Sequence, residues 1–184
     1  CMRHLWPFAS YFTINISSPN TPGLRTLQQS DYLDAFLARL KQEQHALHAA
    51  HQRYIPLVVK ISPDLSLDEI QCIATILLKH GLDGVIATNT SVARHTVKDS
   101  PYAQETGGLS GKPLQASSTQ VIYALYSVLQ DRIPIIGCGG VMDVASAQEK
   151  LRAGARLLQL YTGLIYRGPK LIAHVVKKLG PVVN

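Results

Sequence analysis

Tyr11-Phe12-Thr13-Ile14-Asn15-Ile16-Ser17-Ser18-Pro19-Asn20-Thr21 runs from a short apolar alternation straight into a cluster of amides and hydroxyls. Read as a strand, Phe12 to Ile16 turns Thr13 and Asn15 to one face and Ile14 and Ile16 to the other. The Thr13 and Asn15 face is expected to point inward. An unpaired amide there costs roughly 2–7 kcal/mol, so something polar should meet it. Pro19, with its fixed φ, holds the preceding Ser17-Ser18 turn rigid and can aim one hydroxyl.

Four further apolar runs follow, Leu57 to Ile61, Gly84 to Thr88, Ile133 to Gly137 and Leu157 to Tyr161. All are near-continuous in Val, Ile and Leu, which predicts burial on both faces. Helical patterns alternate with them. They cover about Asp31 to Ala50, a helix opened by the capping box Ser66-Leu67-Asp68-Glu69 and closed at Gly81, then Ser118 to Leu129, Asp143 to Ala153 and Pro169 to Leu179. Gly154 and Gly180 stand where the last two should stop. Five βα units of this kind predict a parallel sheet covered by helices.

Polar residues at the strand ends choose between a doubly wound sheet and a (β/α)₈ barrel. A doubly wound sheet concentrates functional groups at one switch point, whereas barrel strands all deliver theirs to one mouth. Here every strand ends in such groups: Asn15 and Ser18, Lys60, Thr88-Asn89-Thr90, Gly139-Gly140, and Tyr161-Thr162. The expected fold is therefore an α/β (β/α)₈ TIM barrel, of which this chain supplies about the last five units. Five units do not close a barrel of eight, so about three are expected upstream. The start at Cys1 rather than Met, in a Met2 to Ala9 segment that reads as the tail of a helix, agrees with that expectation.

At 184 residues and 46% hydrophobic content the chain has the composition of one globular domain with a sizeable core. The net charge of +6 comes from singly scattered Lys and Arg, with only Lys177-Lys178 adjacent, which argues against a nucleic-acid footprint. Cys1, Cys72 and Cys138 form no C-x-x-C pair, so neither a zinc site nor a disulfide framework is indicated, and a reducing compartment fits. No apolar run approaches the roughly 20 residues that span a bilayer, and no signal peptide is recognisable.

Among the chemistry-bearing residues, Lys60 ends an apolar strand, where an ammonium is disfavoured unless it meets an anion or a polar ligand atom. Ile136-Gly137-Cys138-Gly139-Gly140 leads into a glycine turn whose backbone amides can cradle a phosphate. Tyr161-Thr162-Gly163 follows one unit later, where phosphate-binding barrels complete that site. Ser91 to Gln115 exceeds the roughly 2–6 residues of an ordinary βα connection, and its Gly107-Gly108-Leu109-Ser110-Gly111 can approach a ligand closely. A permissive surface loop is the competing reading. His45, His48 and His51 share a helix, but their spacing turns the last away from the first, so they read as solvated; Cys138 reads as a small filler.

Asn15-Ile16-Ser17-Ser18-Pro19-Asn20-Thr21, Val59-Lys60-Ile61, Thr88-Asn89-Thr90, Gly107-Gly108-Leu109-Ser110-Gly111-Lys112-Pro113-Leu114, Ile136 to Gly140 and Gln159-Leu160-Tyr161-Thr162 occur in an order that closely resembles dihydroorotate dehydrogenase. The likeness covers nearly the whole chain and is to the second half of the class 2, quinone-dependent branch, especially its proteobacterial members. It implies an FMN-binding barrel that oxidises dihydroorotate to orotate in pyrimidine (UMP) biosynthesis.

Carried over by position, the resemblance makes Ser18 the catalytic base that takes the C5 proton while hydride leaves C6 for the flavin. Class 1 members carry cysteine at that place. A serine needs a proton relay and a closed, water-poor loop to act as a base. Asn15, Asn20, Asn89 and Thr90 match residues that hold orotate, and Asn15 also bridges to the flavin. Lys60, Thr88, Gly111, Gly140, Tyr161 and Thr162 match FMN contacts, the last three around the phosphate. Cys138 departs from the branched aliphatic residue common between those glycines. By resemblance, the partners are dihydroorotate and orotate and a membrane quinone, reached through an N-terminal helical segment outside this chain. The location implied is the cytoplasmic side of a bacterial inner membrane, held peripherally. The competing readings are a non-catalytic half barrel with exposed strand edges and another FMN- or phosphate-binding barrel oxidoreductase.

Overall fold

The computed structural model describes residues 1–180. Strands β1 Phe12–Asn15, β2 Leu57–Ile61, β3 Gly84–Ala87, β4 Ile135–Cys138 and β5 Leu157–Gln159 form one parallel sheet in the order β1-β2-β3-β4-β5. A doubly wound sheet reverses its order at a switch point; this one advances without reversal, as a barrel wall does. The register sets Asn15 beside Lys60, Lys60 beside Ile86 and Ile86 beside Ile136, so these side chains share the concave face.

Helices lie between the strands: α1 Met2–Leu5, α2 Ser30–His51, α3 Leu67–His80, α4 Gln115–Leu129, α5 Val144–Arg152, α6 Thr162–Arg167 and α7 Lys170–Leu179. The expected capping box forms, with the Ser66 hydroxyl accepting from Glu69 N and the Glu69 carboxylate accepting from Ser66 N at 2.7 Å. Gly81 closes α3 in the left-handed conformation, which costs glycine little. Asp143 caps α5 through Ser146 N at 2.8 Å. Helix α4 begins at Gln115 rather than Ser118, because the turn Lys112–Leu114 feeds into it and Pro113 is tolerated at a helix entrance.

Core packing lies on the convex face. Leu57, Val59, Ile61, Val85, Ala87 and Ile135 from the sheet meet Leu33, Leu37, Ile73, Leu77, Ile122 and Leu125 from the helices. A smaller cluster of Trp6, Leu47 and Ile55 closes the foot of the sheet, with Trp6 stacked on Phe12 at 5.9 Å between ring centroids.

Burial on both faces holds for β3 and for β2 apart from Lys60, but not for β1, β4 or β5. Thr13 and Asn15 are exposed and Leu157 is 59% exposed. Among the described residues the concave face is open along β1 and β5, whereas Val58 and Ile86 at its middle are buried. Strand β4 starts at Ile135 rather than Ile133: Pro134 has no N–H, and only its carbonyl joins the ladder, accepting from Val85 N at 3.1 Å. Strand β5 stops at Gln159 because the chain enters α6 from Tyr161. Among the described residues no helix is long and apolar enough to cross a membrane.

Candidate active site

The C-terminal ends of the strands open into a cleft of about 370 Å³. Lys60, Thr88, Asn89, Thr90, Gly111, Gly140, Tyr161 and Thr162 all line it, so eight of the residues singled out in the sequence meet in one place. Its volume suits a small organic ligand, whose sites span roughly 300–1,000 Å³.

At one end the loops after β1, β2 and β3 are tied together by polar side chains. Asn89 donates from Nδ2 to Asn15 Oδ1 at 3.0 Å and to Ser17 Oγ at 3.1 Å, and its Oδ1 accepts from Thr90 N at 2.8 Å. Ser17, fully buried, donates from Oγ to the Lys60 carbonyl at 2.6 Å. The Ser17 hydroxyl is thus engaged with protein groups, while half-buried Ser18 has one bond, its Oγ accepting from Asn20 N at 3.3 Å. Ser18 and Asn20 do not line the cleft; their loop stands at its rim. A Cβ built on Gly107 would lie 3.9 Å from Asn20 Oδ1, and one on Gly108 would lie 3.1 Å from Pro19 Cγ.

Arg25 joins three of these loops. Its guanidinium donates to Ser17 O at 3.3 Å, to Thr90 O at 3.2 Å and to Asp64 Oδ2 at 2.9 Å. Asp64 in turn accepts from the Ser91 hydroxyl and from Val92 N at 2.9 Å. Arg25 was not singled out in the sequence, and of the two serines expected to offer a hydroxyl, Ser17 turns out to brace the loops. The signal for Arg25 was an arginine just after a loop already rich in polar groups, where a cation with several fixed N–H donors can gather carbonyls.

The long connection after β3 is not a loose loop. Ser91 and Leu109 exchange backbone hydrogen bonds of 3.0 and 2.8 Å, and Arg94 reaches the Gly107 carbonyl at 2.6 Å. This folds Gly108 to Gly111 down onto the cleft, where Ser110 Oγ accepts from Thr162 Oγ1 at 2.9 Å. Gly111 (φ +77°) has no room for a side chain, since a Cβ would come within 2.8 Å of Thr162 Cγ2. Gly140 (φ +73°) is held as closely, its Cβ position being 2.5 Å from Gln115 Cα. The short helix α6, not expected where Tyr161-Thr162-Gly163 read as a loop after the strand, places Thr162 and buried Gly163 against this glycine turn.

Lys60 is half-buried rather than enclosed, because the concave face is open around it. No carboxylate pairs with its ammonium among the described residues. Cys138 also borders the cleft, and burial pushes its thiol pKa up although Lys60 and Lys150 pull the other way. The group stays a neutral thiol, in keeping with a filler between the glycines. His45, His48 and His51 are all exposed on α2.

The model of the family described as dihydroorotate dehydrogenase matches residues 1–183. Proteins named dihydroorotate dehydrogenase (quinone) are similar to this chain: that of Cronobacter sakazakii is 52% identical over 97% of this chain and 53% of its own length. That of Vibrio cholerae is 55% identical over 97% and 53%, and that of Janthinobacterium sp. 56% identical over 94% and 50%. The crystal structure of DHODH from Eimeria tenella in complex with ferulenol superposes with a TM-score of 0.90 at 38% identity, over 97% of this chain and 51% of that one. The chain spans about half the length of the curated relatives it matches. Fold, ordered motifs and relatives agree, and the chain belongs to the dihydroorotate dehydrogenase family.

Proposed function

We propose that the protein to which this chain belongs is a class 2 dihydroorotate dehydrogenase. It oxidises (S)-dihydroorotate to orotate with bound FMN and passes the electrons to a membrane quinone, in pyrimidine (UMP) biosynthesis. The observation that carries this reading is the convergence of Lys60, Thr88, Asn89, Thr90, Gly111, Gly140, Tyr161 and Thr162 on one cleft, with Asn15 bonded to Asn89 at its edge. The strands that close the barrel come from the part of the protein outside this chain. Support for that lies in the open concave face and in the half-length match to the relatives. Peripheral contact with the cytoplasmic side of a bacterial inner membrane, through an N-terminal segment, belongs to the same reading.

The residues present fit FMN. Gly111 and Gly140 line the cleft with positive φ and are packed against Thr162 and Gln115, a main-chain conformation that can turn backbone groups to a phosphate, and Thr162 and Ser110 offer hydroxyls beside them. Lys60 supplies a cation that has no carboxylate partner among the described residues, suited to the electron-rich edge of the isoalloxazine ring. Thr88 and Tyr161 line the space between. When bound, FMN supplies the hydride acceptor that no side chain can replace.

The chain's own residues then bind, orient and move a proton. Asn15, Asn20, Asn89 and Thr90 present amide and hydroxyl groups to the ring amides and carboxylate of dihydroorotate; such orientation is worth several kcal/mol of barrier. Ser18 takes the C5 proton at Oγ and passes its own hydroxyl proton toward water. The turn Ser17-Ser18-Pro19 excludes bulk solvent when closed against Gly107-Gly108. The test is the full-length protein: it should purify with flavin absorbance that bleaches on anaerobic addition of dihydroorotate. Absence of flavin, or a bound flavin indifferent to dihydroorotate and orotate, overturns the reading. The bleached protein should then be reoxidised by quinone.

A further inference from the structure

Lys150 lies on α5 and is fully buried, yet no carboxylate pairs with it among the described residues. Its ammonium has three N–H donors and makes three hydrogen bonds: to the Gln115 carbonyl at 2.7 Å, to Thr119 Oγ1 at 2.7 Å and to Ser118 Oγ. All three acceptors belong to the first turns of α4. Ser118 is held from the other side as well, since its Oγ donates to the Gly139 carbonyl at 2.9 Å. Gly140 rests on Gln115 so closely that a Cβ there would be 2.5 Å from Gln115 Cα. The Lys150 side chain thus stands directly behind the Gly139-Gly140 turn and fixes the surface against which that turn folds.

Burying a charge without a counter-charge is costly, and burial pulls the Lys150 pKa down to about 8. A leucine or methionine there would fill the same space without that cost, as apolar replacements of buried ions often do. The neighbouring carboxylate, Glu149, is instead engaged by Gln115 Nε2 at 2.5 Å. Glu149 acts on the ammonium through space but forms no ion pair with it among the described residues, and across the glycine turn from Lys150 lies the cleft, where a further anion can be held.

We infer that Lys150 is a positioning residue for the anion-binding end of the cleft: it sets the Gly139-Gly140 turn through Ser118 and Gln115, and its charge is balanced by a phosphate monoester bound on the far side of that turn. This rests on the FMN reading above and adds to it a residue that does not touch the ligand. Lys150 thereby contributes to preference for the phosphorylated flavin, not to binding of the ring.

The experiment compares FMN with riboflavin, which lacks the phosphate, on the full-length apoprotein by quenching of flavin fluorescence. Lys150→Met should weaken FMN by about tenfold or more while changing riboflavin by less than about twofold, since a buried cation near an anion chiefly alters the charged ligand. Equal weakening of both flavins, or of neither, overturns the inference and leaves the functional reading intact. Failure of the unaltered apoprotein to bind FMN overturns both. Should Lys150→Met not fold, Lys150→Met with Ser118→Ala and Thr119→Val removes the stranded acceptors together with the charge; the same loss of FMN preference is expected of it, and retention of that preference overturns the inference.

Discussion

Asn89 and Asn15 meet side chain to side chain, the Nδ2 of the first donating to the Oδ1 of the second at 3.0 Å across the ends of β3 and β1. Lys60 lies on the strand between them, and Ser17 fills the remaining donor of Asn89 at 3.1 Å. Neither amide can be moved without disturbing the other. Asn89→Ala should lower unfolding free energy by about 1–3 kcal/mol, because Thr90 N and Asn15 lose their partner. Orotate affinity should fall by about tenfold or more, as for a site that loses a hydrogen bond to a ring amide. Urea titration and calorimetric titration with orotate check the two effects; unchanged orotate binding would remove Asn89 from the substrate set.

The two adjacent serines should separate cleanly. Ser17→Ala removes the hydrogen bond that this fully buried serine makes to Lys60 O and should cost about 1–3 kcal/mol of stability. Ser18→Ala removes only the contact from Asn20 N and should stay within about 0.5 kcal/mol. Flavin reduction by dihydroorotate at neutral pH should nevertheless fall about 10²–10⁴-fold in Ser18→Ala, with FMN still bound. Stopped-flow bleaching of the flavin measures this, and a normal rate in Ser18→Ala would displace Ser18 from the role of base.

Arg25 is expected to govern order in the loop that carries Ser18. With its side chain 26% exposed and Asp64 19%, the pair is shielded enough for its loss to matter. Arg25→Met should cost about 1.5–3 kcal/mol, in the range of hydrogen bonds to charged groups. Amide hydrogen exchange should accelerate together in the loops after β1 and β3, since the arginine bonds a carbonyl in each. Acceleration in only one of them would mean that Arg25 does not couple the two.

Tyr54 offers a pH signature away from the cleft. Its phenol donates to Asp83 Oδ1 at 2.5 Å, and its pKa is pushed up to about 12, first by burial and then by Asp83. Below the ordinary phenol pKa of about 10 both folded and unfolded forms keep the proton, and the full contribution to stability is present. Between about 10 and 12 the unfolded chain gives up that proton first, so the contribution is lost as pH rises. The stability gap between the unaltered protein and Tyr54→Phe should therefore narrow across that window in urea titrations. A gap independent of pH would contradict the assignment.

Gly111 tests the phosphate end. Gly111→Ala adds a methyl 2.8 Å from Thr162 Cγ2 in a left-handed backbone, so it should displace Thr162 or the loop. The expected outcome is purification with less FMN and a raised dissociation constant for it, with the circular dichroism of the barrel unchanged. Full retention of FMN would show that Gly111 does not form the cradle.

The barrel wall was legible because each strand run ended in polar residues, a regularity that a chain need not have for folding alone. Helix starts were legible where a side chain makes the cap, at Ser66 and Asp143, and less so at Gln115, where the preceding turn replaces a cap. The exposure of Thr13, Asn15 and Leu157 was not readable, since local alternation does not say what lies opposite a face. Asn15, Asn89 and Lys60 were found as polar groups among apolar neighbours. Arg25 was missed, and the bracing role of Ser17 was not seen, because both act on main-chain carbonyls, which leave no trace in residue type. Lys150 did leave one: it falls on the buried stripe of α5 with Ala147, where a lysine has no ordinary reason to be.

The two ends of the cleft rest on separate apolar clusters. Loops after β1 to β3 stand on the main core around Val59, Val85 and Leu77, whereas Val141 packs in a satellite cluster with Ala147, Leu171 and Val175. Small clusters open more readily than large ones, and each opens as a unit. The two clusters touch through Leu158, which packs against both. Under the proposed function, local opening of the α5 and α7 cluster loosens the glycine-turn end of the cleft first, so exchange of a bound flavin need not dismantle the Asn15, Ser17 and Asn89 cluster at the other end.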